Sequence, residues 1–302
     1  RVELALQQAI GEFFSIDQEE ALRVFHGRGH LYPGLEHVCI DWFKPLVLIT
    51  AYVEMVAVKE LAAQIIAADK LSQVKSIILQ KRYERGAPAE LLFGDESPVL
   101  IVQENKLVFE VHPGTQQNAG LFLDTRPLRE WLQENSSEKN VLNLFAYTCS
   151  LSVAALAGGA VRVTNVDISK PSIKWGEKNH QLNNQELDRV KSIPHNLFRS
   201  WGRIQQYGRY DLVVIDPPTR QRGSFDVEKN YKSVLRKLPK LCNVGADIIA
   251  TVNSPFLDAN FLLDQFAASL PNASFVEVIP AAPEFADKYP ERGLKICHFK
   301  MA

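Results

Sequence analysis

Two aspartates stand at the ends of apolar runs, where a side chain could take part in chemistry. The first, Asp167, ends the run Val163–Asp167. At the carboxyl end of a parallel strand, a carboxylate can accept hydrogen bonds from both hydroxyls of a ribose, and Ile168 beside it could pack on a base. Alternatively, Asp167 caps the following helix, although Ser169 before Pro171 suits that role at least as well.

The second aspartate, Asp216, follows the run Leu212–Ile215 and precedes Pro217 and Pro218. Two consecutive prolines stiffen the turn and remove two N–H donors, so carbonyl groups and the Asp216 carboxylate are left to face a cleft. A group-transfer reaction needs such rigidity, because the acceptor must be placed close to the transferred group. Asn253, at the end of a later apolar run, could bond the same acceptor through its amide.

The loop that follows Val141–Phe145 contains no glycine. A dinucleotide-binding oxidoreductase needs a glycine-rich loop there, so that the backbone can approach a pyrophosphate. We therefore disfavour a nicotinamide cofactor and expect a smaller ligand with one carboxylate, held by backbone N–H groups near Thr148–Ser152 and by the helix dipole. A plain strand-to-helix turn is the alternative. Asn196, after the third predicted strand near Ser192, could bond the amino group of a base.

From about His112 onward, apolar runs alternate with helical patterns. Such alternation predicts right-handed βαβ units, and hence an α/β fold with a doubly wound, mostly parallel sheet. The predicted strands are Val141–Phe145, Val163–Asp167, a short one near Ser192, Leu212–Ile215 and Asp247–Val252, with Ser274–Ile279 and Lys295–Lys300 closing an edge. The predicted helices are Arg126–Glu134, Ser150–Ala157, Pro171–Asn183, Val227–Leu238 and Asp258–Leu270. Ligands of such sheets bind beyond the carboxyl ends of the strands.

The residues before this pattern are rich in short β-type runs. Besides these they contain an amphipathic helix pattern at the start and a stretch rich in Gly, His and Pro, His26–Gly34. We therefore predict a smaller α+β domain over residues 1–112, with a role in substrate recognition, and the catalytic domain over residues 113–302.

Composition narrows the classes of protein. The chain has 302 residues, of which 46% are hydrophobic and 23% charged, with a net charge of −1, as in ordinary globular proteins. No apolar run is long enough to span a membrane, and no spacing of His and Cys indicates a metal site. The four cysteines have no CxxC pair, which is typical of free thiols in a reducing cytoplasm.

The stretch Arg220–Lys240 is locally basic, which indicates either an RNA-binding surface or a solvated helix face.

Several motifs together resemble the family of bacterial 23S ribosomal RNA large-subunit methyltransferases, which are class I S-adenosylmethionine-dependent enzymes with a Rossmann-like fold. Gly120–Arg126 is similar to an entry signature of that family, and Asn143–Thr148 to its cofactor loop. Asp216–Thr219 with Phe225–Val227 resembles the half of a bifunctional member that makes N7-methylguanine. Tyr289–Glu291 and Lys295–Lys300 resemble the cytosine-C5 branch.

The resemblance implies S-adenosyl-L-methionine as cofactor, a base of large-subunit rRNA as substrate and a cytoplasmic enzyme. The implied cofactor-binding residues are Asp124, Arg126, Asn143, Phe145, Tyr147, Thr148, Cys149, Ser150, Asp167, Ile168, Ser169, Asn196, Leu197 and Asp216. The expected catalytic residues are Asp216, Pro217, Pro218 and Asn253. The expected RNA-binding residues are Arg220, Arg222 and Lys229.

Three positions depart from the family pattern. Cys149 replaces a glycine of the cofactor loop, Asn196 replaces an aspartate, and Ser254 stands where the cytosine-C5 branch has a nucleophilic cysteine. Carbon-5 of cytosine needs a thiolate to add at carbon-6, and a serine hydroxyl is far less acidic. A purine ring nitrogen has an exposed lone pair, so positioning can suffice. We therefore favour a purine nitrogen, with cytosine carbon-5, an exocyclic amine and a non-catalytic RNA-binding or ribosome-assembly factor as alternatives.

Overall fold

The structure, a computed structural model, describes residues Val2–Ala302; Arg1 lies outside it. The chain forms two compact units. The first comprises the residues up to Leu123 together with Ala282–Pro290, and the second comprises Asp124–Ala281 together with Glu291–Ala302. The first unit thus extends past the boundary expected after residue 112, and it takes in a late segment that no change of composition marks.

The first unit is an α+β arrangement. Its elements are α1 (Val2–Phe14), β1 (Leu22–His26), β2 (Val38–Phe43), β3 (Leu46–Ala51), α2 (Val58–Ala68), β4 (Ser76–Lys81), β5 (Ala89–Gly94), β6 (Leu100–Glu104) and β7 (Leu107–Val111). Strands β1 to β5 form one sheet in chain order, in which β3 and β4 are parallel and the other neighbours antiparallel, while β6 and β7 form a separate pair. The carboxyl ends of β1, β3 and β4 therefore lie at the same edge.

The core of the first unit lies between this sheet and its two helices. Strands β2 and β3 are buried along their whole length, which explains why their sequences are apolar except at Asp41 and Thr50. Apolar side chains of α1 and α2 cover them, among them Phe14 and Ile65. The Trp42 ring lies edge-on to Phe14, 5.4 Å between centroids, and its indole N–H donates to the Gln18 carbonyl at 2.9 Å.

The second unit alternates strands and helices as the sequence predicts. Its elements are α3 (Arg126–Asn135), β8 (Asn140–Leu144), α4 (Ser150–Ala157), β9 (Arg162–Val166), α5 (Lys170–Leu182), β10 (Val190–Ile193), α6 (Trp201–Gln206), β11 (Tyr210–Ile215), β12 (Arg220–Gln221), β13 (Phe225–Asp226), α7 (Val227–Leu235), α8 (Leu238–Leu241), β14 (Cys242–Val252), α9 (Ala259–Ser269), β15 (Ala273–Ile279) and β16 (Lys295–Met301).

The main sheet of the second unit has the strand order β10-β9-β8-β11-β14-β16-β15. The first five strands are parallel, and β16 is antiparallel to both of its neighbours. The chain winds outward from β8 in one direction and from β11 in the other, so the switch point lies between these two strands. The predicted doubly wound α/β fold is confirmed, and its ligand crevice is expected where β8 and β11 end.

Three strand regions were not predicted. Strand β1 directly precedes the Gly/His/Pro-rich stretch. Strand β5 is exposed at five of its six positions, so it lacks the alternation that identifies a half-buried strand. The hairpin of β12 and β13 has two residues in each strand, which is too short for any periodicity.

A polar cluster lies at the edge of the sheet opposite the crevice. Asp247, in the middle of β14, accepts from His298 at 2.7 Å, from Lys139 at 2.8 Å and from Lys300 at 3.3 Å. Burial raises the pKa of Asp247, but these hydrogen bonds and positive charges outweigh it and hold that pKa well below its ordinary value. Since the carboxylate is 4% exposed and has three positively charged or titratable partners, the cluster ties the turn before β8 to β14 and β16.

Candidate active site

The loop after β8, Phe145–Cys149, begins the site. Phe145, Tyr147 and Cys149 have φ of 59°, 51° and 65°, in the left-handed region that favours glycine. The loop is held in this form by neighbouring backbone: the Ala146 N–H donates to the Val166 carbonyl at 3.0 Å, and the buried Asn179 amide donates to the Thr148 carbonyl at 2.9 Å. Thus the backbone path that glycines normally permit is present without any glycine.

Cys149 has room for its side chain because Gly176 of α5 has none. A Cβ added at Gly176 would lie 2.2 Å from the Cys149 Sγ and 2.8 Å from its Cβ. The thiol is buried, together with Ala146 and Ile173, and burial raises its pKa well above the ordinary value. Cys149 is therefore a packing residue beneath the loop, since a buried neutral thiol is inert.

Asp167 directly follows β9 and faces the same crevice. One carboxylate oxygen accepts from the Tyr147 N–H at 2.9 Å and the other from the Ser169 N–H at 2.8 Å. Burial raises the pKa of Asp167, and these two hydrogen bonds act in the opposite direction. A carboxylate has about four acceptor positions, so both oxygens can still accept from a ligand. The capping role belongs to Ser169, whose hydroxyl accepts from the Ser172 N–H at 3.3 Å.

A pocket opens beside Asp167. Its lining residues are Phe145, Val166, Asp167, Ile168, His195, Asn196, Leu197, Phe198, Gln221, Ser224 and Phe225. The Phe225 ring lies 4.8 Å from that of Phe145 and stacks on Phe198 at 6.4 Å between centroids. A slot with apolar walls beside a carboxylate with unused acceptor positions suits a nucleoside, whose base is flat and whose ribose carries hydroxyls.

Five residues expected from the sequence line this pocket: Phe145, Asp167, Ile168, Asn196 and Leu197. The sequence did not identify the other six as pocket residues: Val166, His195, Phe198, Gln221, Ser224 and Phe225. The last three lie on the hairpin of β12 and β13, which the sequence did not predict. An aromatic residue close behind the two prolines was the available signal.

Other expected residues lie elsewhere. Asn143 does not reach the pocket: it is buried beneath the loop, where its amide donates to Ser152 at 2.9 Å and to Asn165 at 3.3 Å. Arg126 pairs with Glu130 at 3.1 Å. The Tyr147 ring is half-buried near Trp175, 6.4 Å between centroids.

Asp216 directly follows β11 on the other side of the switch point. Its carboxylate accepts from the Thr251 hydroxyl at 2.5 Å. Burial raises the pKa of Asp216 to about 6; Thr251 lowers it, the nearby charge of Asp124 raises it further and that of Arg129 lowers it. Asp124 and Asp216, both expected from the sequence, are therefore brought together. A carboxyl with such a pKa can change its charge near neutral pH.

Arg129 is a residue that the sequence analysis missed. This α3 arginine is 1% exposed, and its guanidinium donates to the Thr125 hydroxyl at 2.6 Å and to the Ser150 hydroxyl at 3.4 Å. It links the beginning of α3 to that of α4 and places a buried positive charge near Asp216. An arginine on the apolar side of a helix pattern, one residue after Leu128, was the available signal.

The turn after Asp216 is fixed to the loop after β14. The Thr219 hydroxyl donates to the Asn253 carbonyl at 2.7 Å, Pro217 is buried, and Pro218 and Asn253 are exposed. Beneath them the Tyr231 hydroxyl donates to the Thr251 carbonyl at 3.0 Å. Because β11 and β14 are adjacent and parallel, Asp216 and Asn253 lie at the same edge of the sheet, held by this rigid turn. We call this pair of strand ends the ledge.

Ser254 is turned away from this ledge. It is 3% exposed, its hydroxyl accepts from the Phe256 N–H at 3.2 Å, and its carbonyl accepts from the Lys295 ammonium at 2.7 Å. Burial lowers the pKa of Lys295 to about 8. Ser254 therefore shapes the loop and offers no hydroxyl to the crevice.

The basic stretch begins directly at the ledge. Arg220, Arg222 and Lys229 are exposed, as are Lys232, Arg236, Lys237 and Lys240. Asp226 caps α7 by accepting from the N–H groups of Glu228 and Lys229 at 3.1 and 3.3 Å.

In the part of the chain from Val2 to Ala302, no group of three or more His, Cys, Asp or Glu could hold a metal ion, and no helix is long and apolar enough to cross a membrane.

Known proteins resemble this chain in sequence and in fold. The family model described as S-adenosylmethionine-dependent methyltransferase matches residues 22–300. Proteins named ribosomal RNA large subunit methyltransferase K/L are similar: one from Pseudoalteromonas translucida is 32% identical over 65% of this chain and 28% of its own length. One from Colwellia psychrerythraea is 30% identical over 81% of this chain and 35% of its own length. The chain thus spans about a third of these relatives.

Solved structures show the same fold. A methyltransferase complexed with SAH superposes with a TM-score of 0.85 at 24% identity, covering 99% of this chain and 80% of that one. A SAM-dependent methyltransferase from Streptococcus mutans superposes with a TM-score of 0.83 at 23% identity, covering 99% and 81%. Together with the crevice described above, the family match leads to one conclusion: this chain belongs to the S-adenosylmethionine-dependent methyltransferase family, as the resemblance of its motifs predicts.

Proposed function

We propose that the chain methylates a base of large-subunit ribosomal RNA, at a purine ring nitrogen, in the cytoplasm. The observation that carries this proposal is the ledge of Asp216 and Asn253, which lies at the same edge of the sheet as the pocket beside Asp167 and begins an exposed basic stretch. The curated relatives named for ribosomal RNA support the choice of RNA as substrate.

The pocket residues would hold S-adenosylmethionine, which supplies an electrophilic methyl group on a positively charged sulfur. Asp167 would accept hydrogen bonds from the ribose hydroxyls, and the ring walls with Ile168 would cover the adenine. The Asn196 side-chain oxygen, which the sequence assigned to the amino group of the base, already accepts from the Phe198 N–H at 2.9 Å. We therefore assign the Asn196 amide N–H₂ as a donor to a ring nitrogen of adenine instead. The first N–H groups of α4, near Ser150, would face the carboxylate.

Asp216 would face the acceptor base. A purine nitrogen that accepts a methyl group gains positive charge, and an ionised carboxylate held in a partly buried site stabilises such charge better than water does. Asp124, close to Asp216, adds to this negative field. Pro217 and Pro218 would keep the ledge rigid, and Asn253 would bond the base edge through its amide.

Cysteine-dependent cytosine chemistry is disfavoured by the thiols. All four cysteines are buried, and burial raises the pKa of each, to about 12 for Cys242 and about 11 for Cys297. A thiol in this state supplies no thiolate to attack carbon-6 of a base. Ser254 stands where the cytosine-C5 branch has its nucleophilic cysteine, and its hydroxyl is already hydrogen-bonded to the Phe256 N–H of the same loop.

The test is methyl transfer to large-subunit rRNA, followed by mass mapping of the modified nucleoside. We expect a methylated purine, a large loss of turnover in Asp216→Ala, a moderate loss in Asn253→Ala and little change in Ser254→Ala, which serves as the matched control. A covalent adduct with RNA that contains 5-fluorocytosine, or an inactive Ser254→Ala, would overturn the choice of a purine. Binding of S-adenosylmethionine without transfer to any RNA would instead favour an assembly factor.

The basic stretch has its own test. If Arg220, Arg222 and Lys229 contact phosphates, the affinity for RNA falls steeply with salt. Arg220→Ala with Arg222→Ala should flatten that dependence by about 0.7 per lost phosphate contact on a log–log plot for single-stranded RNA. An unchanged slope would mean that this stretch is a solvated helix face.

A further inference from the structure

Three strand ends of the first unit meet at one edge of its sheet and carry two arginines and a tyrosine. Tyr52 follows β3 and Arg82 follows β4, which are parallel and paired up to Ala51 and Lys81. Arg28 lies in the turn directly after β1. This turn belongs to the Gly/His/Pro-rich stretch, to which the proposed chemistry gives no role.

Both guanidinium groups lie against the Tyr52 ring. The Arg28 guanidinium carbon lies 3.9 Å from the centroid of the Tyr52 ring, and that of Arg82 lies 5.7 Å from it. Arg82 also donates to the Gln117 carbonyl at 3.3 Å. Both distances are within the range of cation–π attraction, so the ring brings two like charges together. We call Arg28 and Arg82 the arginine pair.

The turn that carries Arg28 is built to point it outward. A Cβ at Gly27 would lie 1.9 Å from the Leu35 carbonyl oxygen, and one at Gly29 would lie 2.2 Å from the Ala286 carbonyl oxygen. The two glycines therefore pack backbone against backbone and fix the turn between them. Arg28 itself is exposed.

The arginine pair keeps its charge unneutralised. Within residues Val2–Ala302, neither guanidinium forms an ion pair with a carboxylate, whereas the nearby Arg23 is bound by both oxygens of Asp41, at 2.8 and 3.1 Å. Glu84 and Glu90 pair with Lys81. The nearby positive charges also act on His26. Its pKa is lowered to about 3, first by burial and then by the charges of Arg23, Arg28 and His30.

We propose that the arginine pair and Tyr52 form a second RNA contact, which binds phosphodiester groups of the substrate at the strand-end edge of the first unit. The proposal rests on the proposed function, because it assumes RNA as the substrate. Guanidinium groups bind phosphate through paired N–H donors, and a guanidinium stacked on a ring keeps its outer edge available. Arg28 offers that edge to solvent.

The experiment measures binding of a fluorescein-labelled single-stranded RNA of mixed sequence to the full chain, by anisotropy at several salt concentrations. The variant is Arg28→Ala with Arg82→Ala. The matched control, Lys59→Ala with Lys70→Ala, removes the same charge from exposed positions of the same unit. We expect the double arginine variant to lose roughly tenfold or more in affinity and to flatten the log–log salt slope by about 1.4, or about 0.7 for each phosphate, and the control to resemble wild type.

A variant that retains charge separates binding from folding. Arg28→Lys with Arg82→Lys should restore the salt slope while regaining only part of the affinity, because lysine keeps the charge and loses the planar donor edge. Equal slopes in wild type and in the double alanine variant, or equal losses in the control, would overturn the proposal. If wild type binds and methylates no RNA, the proposed function fails; if wild type methylates RNA and only the slope is unchanged, the arginine pair alone is refuted.

Discussion

The two sides of the switch point each present one aspartate at a strand end, and the two carboxylates differ in their partners. Asp167 accepts from two backbone N–H groups, whereas Asp216 accepts from the Thr251 hydroxyl with Asp124 nearby. Burial raises the pKa of both. Two peptide N–H groups hold Asp167 as an acceptor for a bound ligand, whereas Asp216, whose pKa burial raises to about 6, can change its charge near neutral pH. The proposed roles of the two aspartates follow this difference: ligand binding for Asp167 and catalysis for Asp216.

The largest effect is expected on turnover in Asp216→Asn. The amide keeps the shape of the side chain but loses the charge, so kcat should fall on the order of a hundredfold or more. The affinity for S-adenosylmethionine, measured by calorimetry, should remain within a few fold of wild type. A kcat equal to that of wild type would remove the distinction between the two aspartates.

The same substitution should change stability in a pH-dependent way. Since the pKa of Asp216 is raised from 3.8 to about 6, its contribution to folding is complete below about pH 3.8 and is lost as pH rises through about 6. Asp216→Asn, which is neutral throughout, should therefore raise the free energy of unfolding at pH 8 by at most about 3 kcal/mol, with little change at pH 4. Urea unfolding at both pH values measures this, and kcat of the wild type should rise with pH around 6.

Asp167→Ala should act on binding instead. The loss of charge-assisted hydrogen bonds costs roughly 1.5–3 kcal/mol, so the affinity for S-adenosylmethionine should fall about ten- to a hundredfold. At saturating cofactor, kcat should be nearly unchanged. Asp188→Ala, at an exposed position, is the control. Unaltered affinity in Asp167→Ala would refute the ribose assignment.

The smallest effect concerns the loop that donates to Asp167. In Gly176→Ala the new methyl group would overlap the Cys149 Sγ, and overpacking of this kind costs about 1–3 kcal/mol. Adding Cys149→Gly should recover part of that loss, and only part, because the Thr148 carbonyl carbon would still lie 3.2 Å from the new Cβ. Thermal unfolding of both single variants and the double variant measures the coupling; strictly additive losses would contradict it.

The sequence predicted the central strands of the second unit well because they are buried, and it predicted the start of α5 because Ser169 caps that helix. Apolar runs such as Leu212–Ile215 and caps such as Ser169 are local signals, and they placed Asp167 and Asp216 correctly at strand ends. Asn143 was assigned to the cofactor, yet it lies in a buried polar network, because a motif gives position in the chain and not the direction of a side chain.

Two features could not be predicted from the sequence: the side of the pocket formed by the hairpin of β12 and β13, and the boundary between the two units. Phe225 lies in the pocket because it belongs to a short hairpin, which shows no periodicity in the sequence. The charge of Arg129 matters because the side chain is buried near Asp216, and burial depends on tertiary packing. Residues 282–290 belong to the first unit although they follow strands of the second. Contacts between residues distant in sequence decide each of these features.

The loop Phe145–Cys149 has a consequence for how a ligand is received. Glycines sample many conformations in an unfolded chain, and ordering them removes more conformational entropy than ordering residues with side chains. Here three side chains occupy left-handed positions, at a local energetic cost that the surrounding packing offsets. The entropy of this loop is therefore lost when the chain folds, and a ligand bound beside it, such as the proposed S-adenosylmethionine, would meet a surface that needs no further ordering.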